Sequence, residues 1–506
     1  MFLGMNPCHS IRFYFFCFIL LSVFSQAQDI TKARYGKYSV GFKSILEFDY
    51  SRPSRVNEKM GRAVQINIWY PAKESKGDKM TFVKYVHVSA QEDSIVERFY
   101  EEAAVESFLS GLKLRGSDIS SWRTFLASKK PMLAVQNATY QNGTYPTVLL
   151  IHGSASNYSF MGEYLASHGM VAISAPYKGY FQNEFDVNTV GMETEIRDHE
   201  FALATVAKMM KVQTEKIGLV GISFGGQSAV GLASKNKAVK GVVSLDGGIG
   251  SPTGPRLLSQ YPFFSMDKIT APILHLYDPA GGNLDWFEIC YYTDRYLIGF
   301  DHMDHSFFAA FGVLDGVINN VAGPNKPKAG DNYQAILEYT RVFLNEVYSD
   351  NPSSAIKIME LDKQIEWIEP NIKSKSHKLR KWSPVPLDEL LKILTSKGLE
   401  GLMTRYKKQK EITSMPIADI SYRALVTNRF NAPDPVGMLQ IVDLYESDFP
   451  TSAMPKYFKG RTLLMNNKPD LAKDYFKKCL ELLDTDASIS IVDKISYKSQ
   501  CEQFLK

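Results

Sequence analysis

The chain has 506 residues, 45% hydrophobic and 22% charged, an ordinary globular composition long enough for two or more domains. Its formal net charge of +4 is small for that length and gives no case for nucleic-acid binding. Cys290, Cys479 and Cys501 remain once the first residues are set aside, an odd number without motif spacing. Cys479 and Cys501 could pair in an oxidising compartment, although scattered cysteines of this kind more often stay thiols.

At the start, Arg12, an apolar run over 13–24 and the small residues of Ser25-Gln26-Ala27 have the layout of a signal peptide, residues 1–27. The expected protein is therefore exported, to a periplasm or the extracellular space. The apolar run is too short to span a bilayer comfortably, so no stable membrane span is expected after cleavage, and no Cys follows the cleavage site to carry a lipid. Asn137, Asn142 and Asn157 head formal glycosylation sequons, and a glycan on Asn157 would crowd a loop invoked below, which favours a bacterial periplasm. Residues 64–72 read as an early strand. An insertion over 89–134 follows, with helical spacing over 96–109 and a turn or helix over 119–127; it either caps a substrate pocket or packs peripherally.

Tyr145–Ile151 is too apolar to have a wet face and reads as a buried parallel strand. It leads into the small-residue loop His152-Gly153-Ser154-Ala155-Ser156, a helix over 161–169 ending at Gly169, and a second buried strand over 171–176, which together make one βαβ unit. A helix over 193–210, strands over 217–220, 239–245, 271–277 and 295–300, and a closing helix over 333–347 continue the alternation. An α/β fold with a mostly parallel, helix-covered sheet is expected.

Between the strand at 217–220 and a helix-compatible run lies Gly221-Ile222-Ser223-Phe224-Gly225, a small-x-Ser-x-small turn. Alone the pattern is weak, but a strand before it and a helix after it make a nucleophile elbow that leaves the Ser223 hydroxyl bare. Where the triad order is Ser, acid, His, the base follows Ser223. His275 falls inside a strand and His377 in a basic segment outside the sheet, which leaves His305, preferred because an apolar helix start follows it, and His302 as the alternative. Two histidines in a turn with no matching Cys or Glu do not make a zinc site, so neither metal nor cofactor is expected. Asp246 and Asp278 both end strands and both are candidate acids.

Residues 62–308 resemble the platelet-activating-factor acetylhydrolase family of the α/β-hydrolase superfamily, related to dienelactone-hydrolase-like bacterial proteins. The resemblance is carried by residues 64–72, Ile151-His152-Gly153, Leu165-Ala166-Ser167-His168-Gly169, Gly221-Ile222-Ser223-Phe224-Gly225-Gly226, Leu245-Asp246 and His305 with Phe307. It implies an α/β-hydrolase fold and a serine esterase for short acyl groups acting on a small acyl ester. It also implies Ser223, Asp246 and His305 as the triad, with backbone N–H donors on Ser154 and Phe224 as the oxyanion hole. Ile222 departs from the His or Tyr usual before the nucleophile, and Gly247-Gly248 stands where a bulky pair is common.

The hydrolase domain is expected over 28–350 and a solvated linker over 351–382, with its Lys-rich run at 373–381. From 383 to 506 the chain is expected to be all-α, a degenerate tetratricopeptide-like region in which 419–452 and 453–486 align, with Gly460, Ala472 and Phe476 placed as in that repeat. Two functions follow: a secreted serine esterase with a helical appendage, or an idle hydrolase scaffold that binds a protein partner through its helical repeats.

Overall fold

Strands that read as unbroken apolar runs must be covered on both faces, and the computed structural model of the protein places them inside one eleven-stranded sheet. The structure describes residues 34–506 apart from 54–60, 92–100, 181–185, 265, 319–328, 350–354, 366–367, 369–371, 381–386, 414–416, 418, 432–433, 487 and 490. The signal peptide expected at 1–27 lies outside the described residues.

In chain order the strands are β1 (Ser39–Pro53), β2 (Gly61–Ala72), β3 (Lys79–Thr81), β4 (Pro131–Gln136), β5 (Tyr145–Ile151), β6 (Val171–Ser174), β7 (Val212–Ile222), β8 (Val239–Leu245), β9 (Ile273–Tyr277), β10 (Arg295–Phe300) and β11 (Ile372–Lys378). Across the sheet they run β11-β10-β9-β8-β7-β5-β6-β2-β1-β4-β3. From β6 to β10 every pair is parallel, and beyond β6 the sheet is mixed, with β2 antiparallel to β6 and to β1, and β4 parallel to β1. The carboxyl ends of β5, β7, β8 and β9 therefore share one edge, where an open α/β sheet forms its crevice.

Side chains alternate between the faces. Val148 and Leu150 of β5 join a core with the helices Ser159–Ser167 and Ala329–Tyr348, while Leu149 and Ile151 join another with Thr189–Met209 and Phe224–Lys235. The helix Thr189–Met209 is further tied to β2 by a buried pair in which the Arg62 guanidinium donates to both carboxylate oxygens of Asp198, at 2.8 and 2.7 Å. One-ended loss of such a pair is costly, because it strands a buried charge.

Two expectations need correction. The segment 351–382 is not a linker: Ile372–Lys378 forms β11, antiparallel to β10, and puts His377 in the sheet, stacked on Tyr296 at 4.3 Å between ring centroids. An edge strand has one paired side and one open side, and lysines there discourage pairing with other chains. A Lys-Ser alternation is thus what an edge strand looks like, and its composition is that of solvated chain. The insertion also begins earlier than expected, with the helix Phe82–Gln91, and continues through Glu101–Leu114 and Ile119–Ala127. Its base is clamped in the sheet by β3 and β4, which pair with each other, and β4 with β1. Trp122 is fully buried among Phe82, Phe108 and Phe125 in its core.

Beyond the sheet, helices from Leu387–Thr413, kinked at Gly398, to Ile491–Leu505 enclose a buried cluster of their own, from Leu390 to Cys501. Gly460 admits the Phe476 ring where a Cβ would stand 2.7 Å from it, which packs the helices Ala453–Met465 and Pro469–Leu483 as a hairpin. Cys290, Cys479 and Cys501 are buried free thiols. Among the described residues no helix is long and apolar enough to cross a membrane.

Candidate active site

At the end of β7 the chain reverses into the helix Phe224–Lys235 through Ser223, whose φ of 54° and ψ of −125° lie where a non-glycine residue is strained. The reversal leaves no room for flanking side chains. A Cβ on Gly221 would collide with the carbonyl oxygen of Gly225, and one on Gly225 with that of Ile151. The Ser223 carbonyl accepts hydrogen bonds from Gly226 N at 3.0 Å and Gly248 N at 2.9 Å, and Ser223 N donates to Leu245 O at 3.2 Å. The strain is thus held by bonds to the end of β8, the strand that delivers Asp246.

Asp246 is itself at positive φ, its amide fixed to Leu276 O at 2.7 Å. One carboxylate oxygen accepts from Asp278 N at 3.1 Å and the other from His305 Nδ1 at 2.6 Å. The two candidate acids therefore separate. Asp246 engages the histidine, while Asp278 turns its own carboxylate to the amide of Ala280, at 2.9 Å, and supports Asp246 through its backbone. His305 opens a short 3-10 turn, His305–Phe308, in which Phe307 and Phe308 are buried anchors. Hydrogen bonding to Asp246 raises the His305 pKa above its ordinary value, against the opposing pull of burial. His302, three residues away, pairs instead with Asp301 at 3.0 Å.

Ser223, Phe224, Asp246 and His305 line one cavity of about 510 Å³ at the sheet's carboxyl edge. Most of its remaining wall is small or polar: Gly247, Gly248, Gly250, Ser251, Thr253, Gly281 and Gly282, with Val187 and Leu257 as its aliphatic side chains. The Gly247-Gly248 departure has a packing reason, since side chains there would strike Ser244 Oγ and Gln227. His275 lies buried behind this wall with Nδ1 hydrogen-bonded to Ser244 Oγ at 3.0 Å, and burial lowers its pKa to about 4, so it stays neutral.

Phe224 is the first residue of its helix, where the backbone N–H has no intrahelical acceptor. The loop carrying Ser154 lies beside the elbow because Ile151 is in register with Gly221. That loop is held by residues the sequence reading missed. His152, at positive φ, donates from Nδ1 to the fully buried carboxylate of Glu195 at 3.1 Å, and Glu195 accepts a second bond from Ser228 Oγ at 2.5 Å. The His152 ring packs on Phe224 and Tyr177. A Glu on the same face as Met192, Ile196 and His199 in the sequence is the signal that could have exposed this support. Among the described residues no group of three or more His, Cys, Asp or Glu is placed to hold a metal ion.

A family model described as chlorophyllase matches residues 108–251, from the insertion through the elbow to the acid loop. Among solved structures the chain is similar to a ferulic acid esterase from Streptomyces cinnamoneus, with 16% identity and a TM-score of 0.41 over 64% of this chain and 95% of that one. No curated protein matches the chain. The parallel sheet, the strained serine elbow and the matched family model define an ester-hydrolysing enzyme of the α/β-hydrolase superfamily.

Proposed function

We propose that the protein is an exported serine esterase for small or polar acyl esters, with Ser223 as nucleophile, His305 as base and Asp246 as its partner. The observation that carries this reading is a strained Ser223 sharing one cavity with a histidine whose Nδ1–H is bound to a carboxylate at 2.6 Å. With Nδ1 committed to Asp246, the neutral ring presents Nε2 as the basic nitrogen. As Ser223 Oγ attacks the ester carbonyl, Nε2 takes its proton, Asp246 stabilises the imidazolium, and the proton passes to the departing alcohol. Amides of Phe224 and Ser154 are the donors proposed for the oxyanion, which need no reorganisation as charge develops. Water, activated by the same His305, then releases the acid and frees Ser223.

The glycine-rich wall supports a short acyl group over a lipid tail, because Val187, Phe224 and Leu257 are the few apolar side chains there to cover methylenes. Two measurements test this reading. A fluorophosphonate is expected to label the wild type and leave Ser223→Ala unlabelled while both melt alike. Across 4-nitrophenyl esters from acetyl to decanoyl, kcat/KM is expected to peak at four carbons or fewer; a steady rise to decanoyl would reject the short-acyl assignment.

A further inference from the structure

A second cavity, of about 300 Å³, opens between the insertion and the loop proposed to hold the oxyanion. Its lining joins the insertion to the loop that follows β5 and carries Ser154. Ser154 and Ser156 form one wall, and Asn157 joins them to the base loop, because its carbonyl accepts from Ala310 N at 3.0 Å, five residues after His305. Ser89 of the helix Phe82–Gln91 closes the chain: its hydroxyl lies 3.1 Å from Ser156 Oγ and accepts from Ser156 N at 3.0 Å, and Ser156 Oγ is 3.0 Å from Ser154 Oγ. The insertion therefore meets the loop proposed to hold the oxyanion through a continuous row of hydroxyls. At the end of the helix Glu101–Leu114, Arg115 lies over the ring of Phe311 at 4.5 Å and lines the same cavity. Stacking fixes the plane of a guanidinium while leaving its N–H edge open, the geometry that grips a carboxylate or phosphate with two hydrogen bonds. Among the described residues no ion pair engages Arg115.

We propose that this cavity is a second substrate subsite and that the preferred ester carries a negative charge, held by Arg115 with the serine hydroxyls as lesser donors. The proposal rests on the esterase reading above and adds the substrate's charge to it. The anion can reside on the acyl or the alcohol side of the ester, and the two are separable. Acyl-side charge is probed with 4-nitrophenyl hemisuccinate, hemiglutarate and hemiadipate against neutral esters of equal length, and alcohol-side charge with 4-acetoxybenzoate against phenyl acetate. On one of the two sides the charged ester is expected to be favoured in kcat/KM by about ten- to a hundredfold, the range of a charge-assisted hydrogen bond. Arg115→Gln is expected to bring that ratio close to one, whereas Arg123→Gln, which removes a cation paired with Glu106 on the next helix, keeps it. A ratio near one for the wild type on both sides, or an equal fall for charged and neutral esters in Arg115→Gln, overturns the subsite. Failure of Ser223 to react with fluorophosphonate would instead reject the esterase reading beneath it.

Discussion

Single residues decide the chemistry, and the two aspartates show how. Asp246 and Asp278 were equivalent in the sequence, each closing a strand, and the resemblance alone chose between them; the structure gives the histidine to Asp246 and leaves Asp278 capping its own turn. Asn at 246 keeps the shape but favours the wrong imidazole tautomer, a change that costs about 10⁴ in turnover in a well-studied triad. Asp246→Asn is therefore expected to lose three or more orders of magnitude in kcat, with Asp278→Asn losing less than about tenfold because its backbone N–H to Asp246 survives. The pH profile carries an independent sign. The base must be neutral, and Asp246 raises the His305 pKa, so activity falls as pH drops through a value above the ordinary 6.5. Residual activity of Asp246→Asn is expected to have that acid limb at lower pH; an unmoved limb would mean another group sets it. Ser223 and His305 were singled out by the elbow and by chain order, and Asp246 only by the resemblance. Glu195 was not, because its role depends on His152, forty-three residues away, meeting it across a helix face.

Elements were legible in proportion to how completely they are buried. β5, β6, β8, β9 and β10 lie inside the sheet, and their apolar runs announced them close to their observed bounds. β11 and the β3–β4 pair lie at the edges, where composition is shared with loops and only pairing defines a strand. The omission of β11 has energetic consequences. Arg295 is almost fully buried, and its guanidinium donates to Thr293 O at 2.5 Å and Leu379 O at 3.1 Å, while Lys375 closes a pair with Asp362 at 2.6 Å. A chain ended at residue 349 loses one of the three carbonyl acceptors of Arg295, keeping those of Phe287 and Thr293, and bares the edge of β10. Leaving a buried charged donor short of a partner costs roughly 1–3 kcal/mol before lost packing is counted. The 349 truncation is thus expected to melt at least several degrees below one ended at residue 380, and to aggregate through the opened edge. Equal melting curves for the two fragments would return β11 to the status of a linker.

For the whole molecule, the buried clusters divide the chain more clearly than composition does. Every side chain assigned to the candidate site comes from residues 152–305, and the two cores flanking the sheet draw on residues up to Ile368. The third core runs from Leu390 to Cys501 and holds only residues of the C-terminal helices and their connections. A set of helices with its own apolar interior does not need the sheet to bury its surface, and the sheet does not need the helices to complete its site. A chain ended at residue 380 is therefore expected to hydrolyse phenyl acetate with kcat/KM within about threefold of the full-length enzyme, since no contact to the reacting atoms is removed. The measurement distinguishes two roles for the C-terminal helices. Retained turnover on this small ester assigns them to something other than the chemical step, such as docking a partner protein. A fall of a hundredfold or more in a fragment that still melts cooperatively would make them part of the catalytic unit, and the boundary at residue 380 would then separate cores without separating functions.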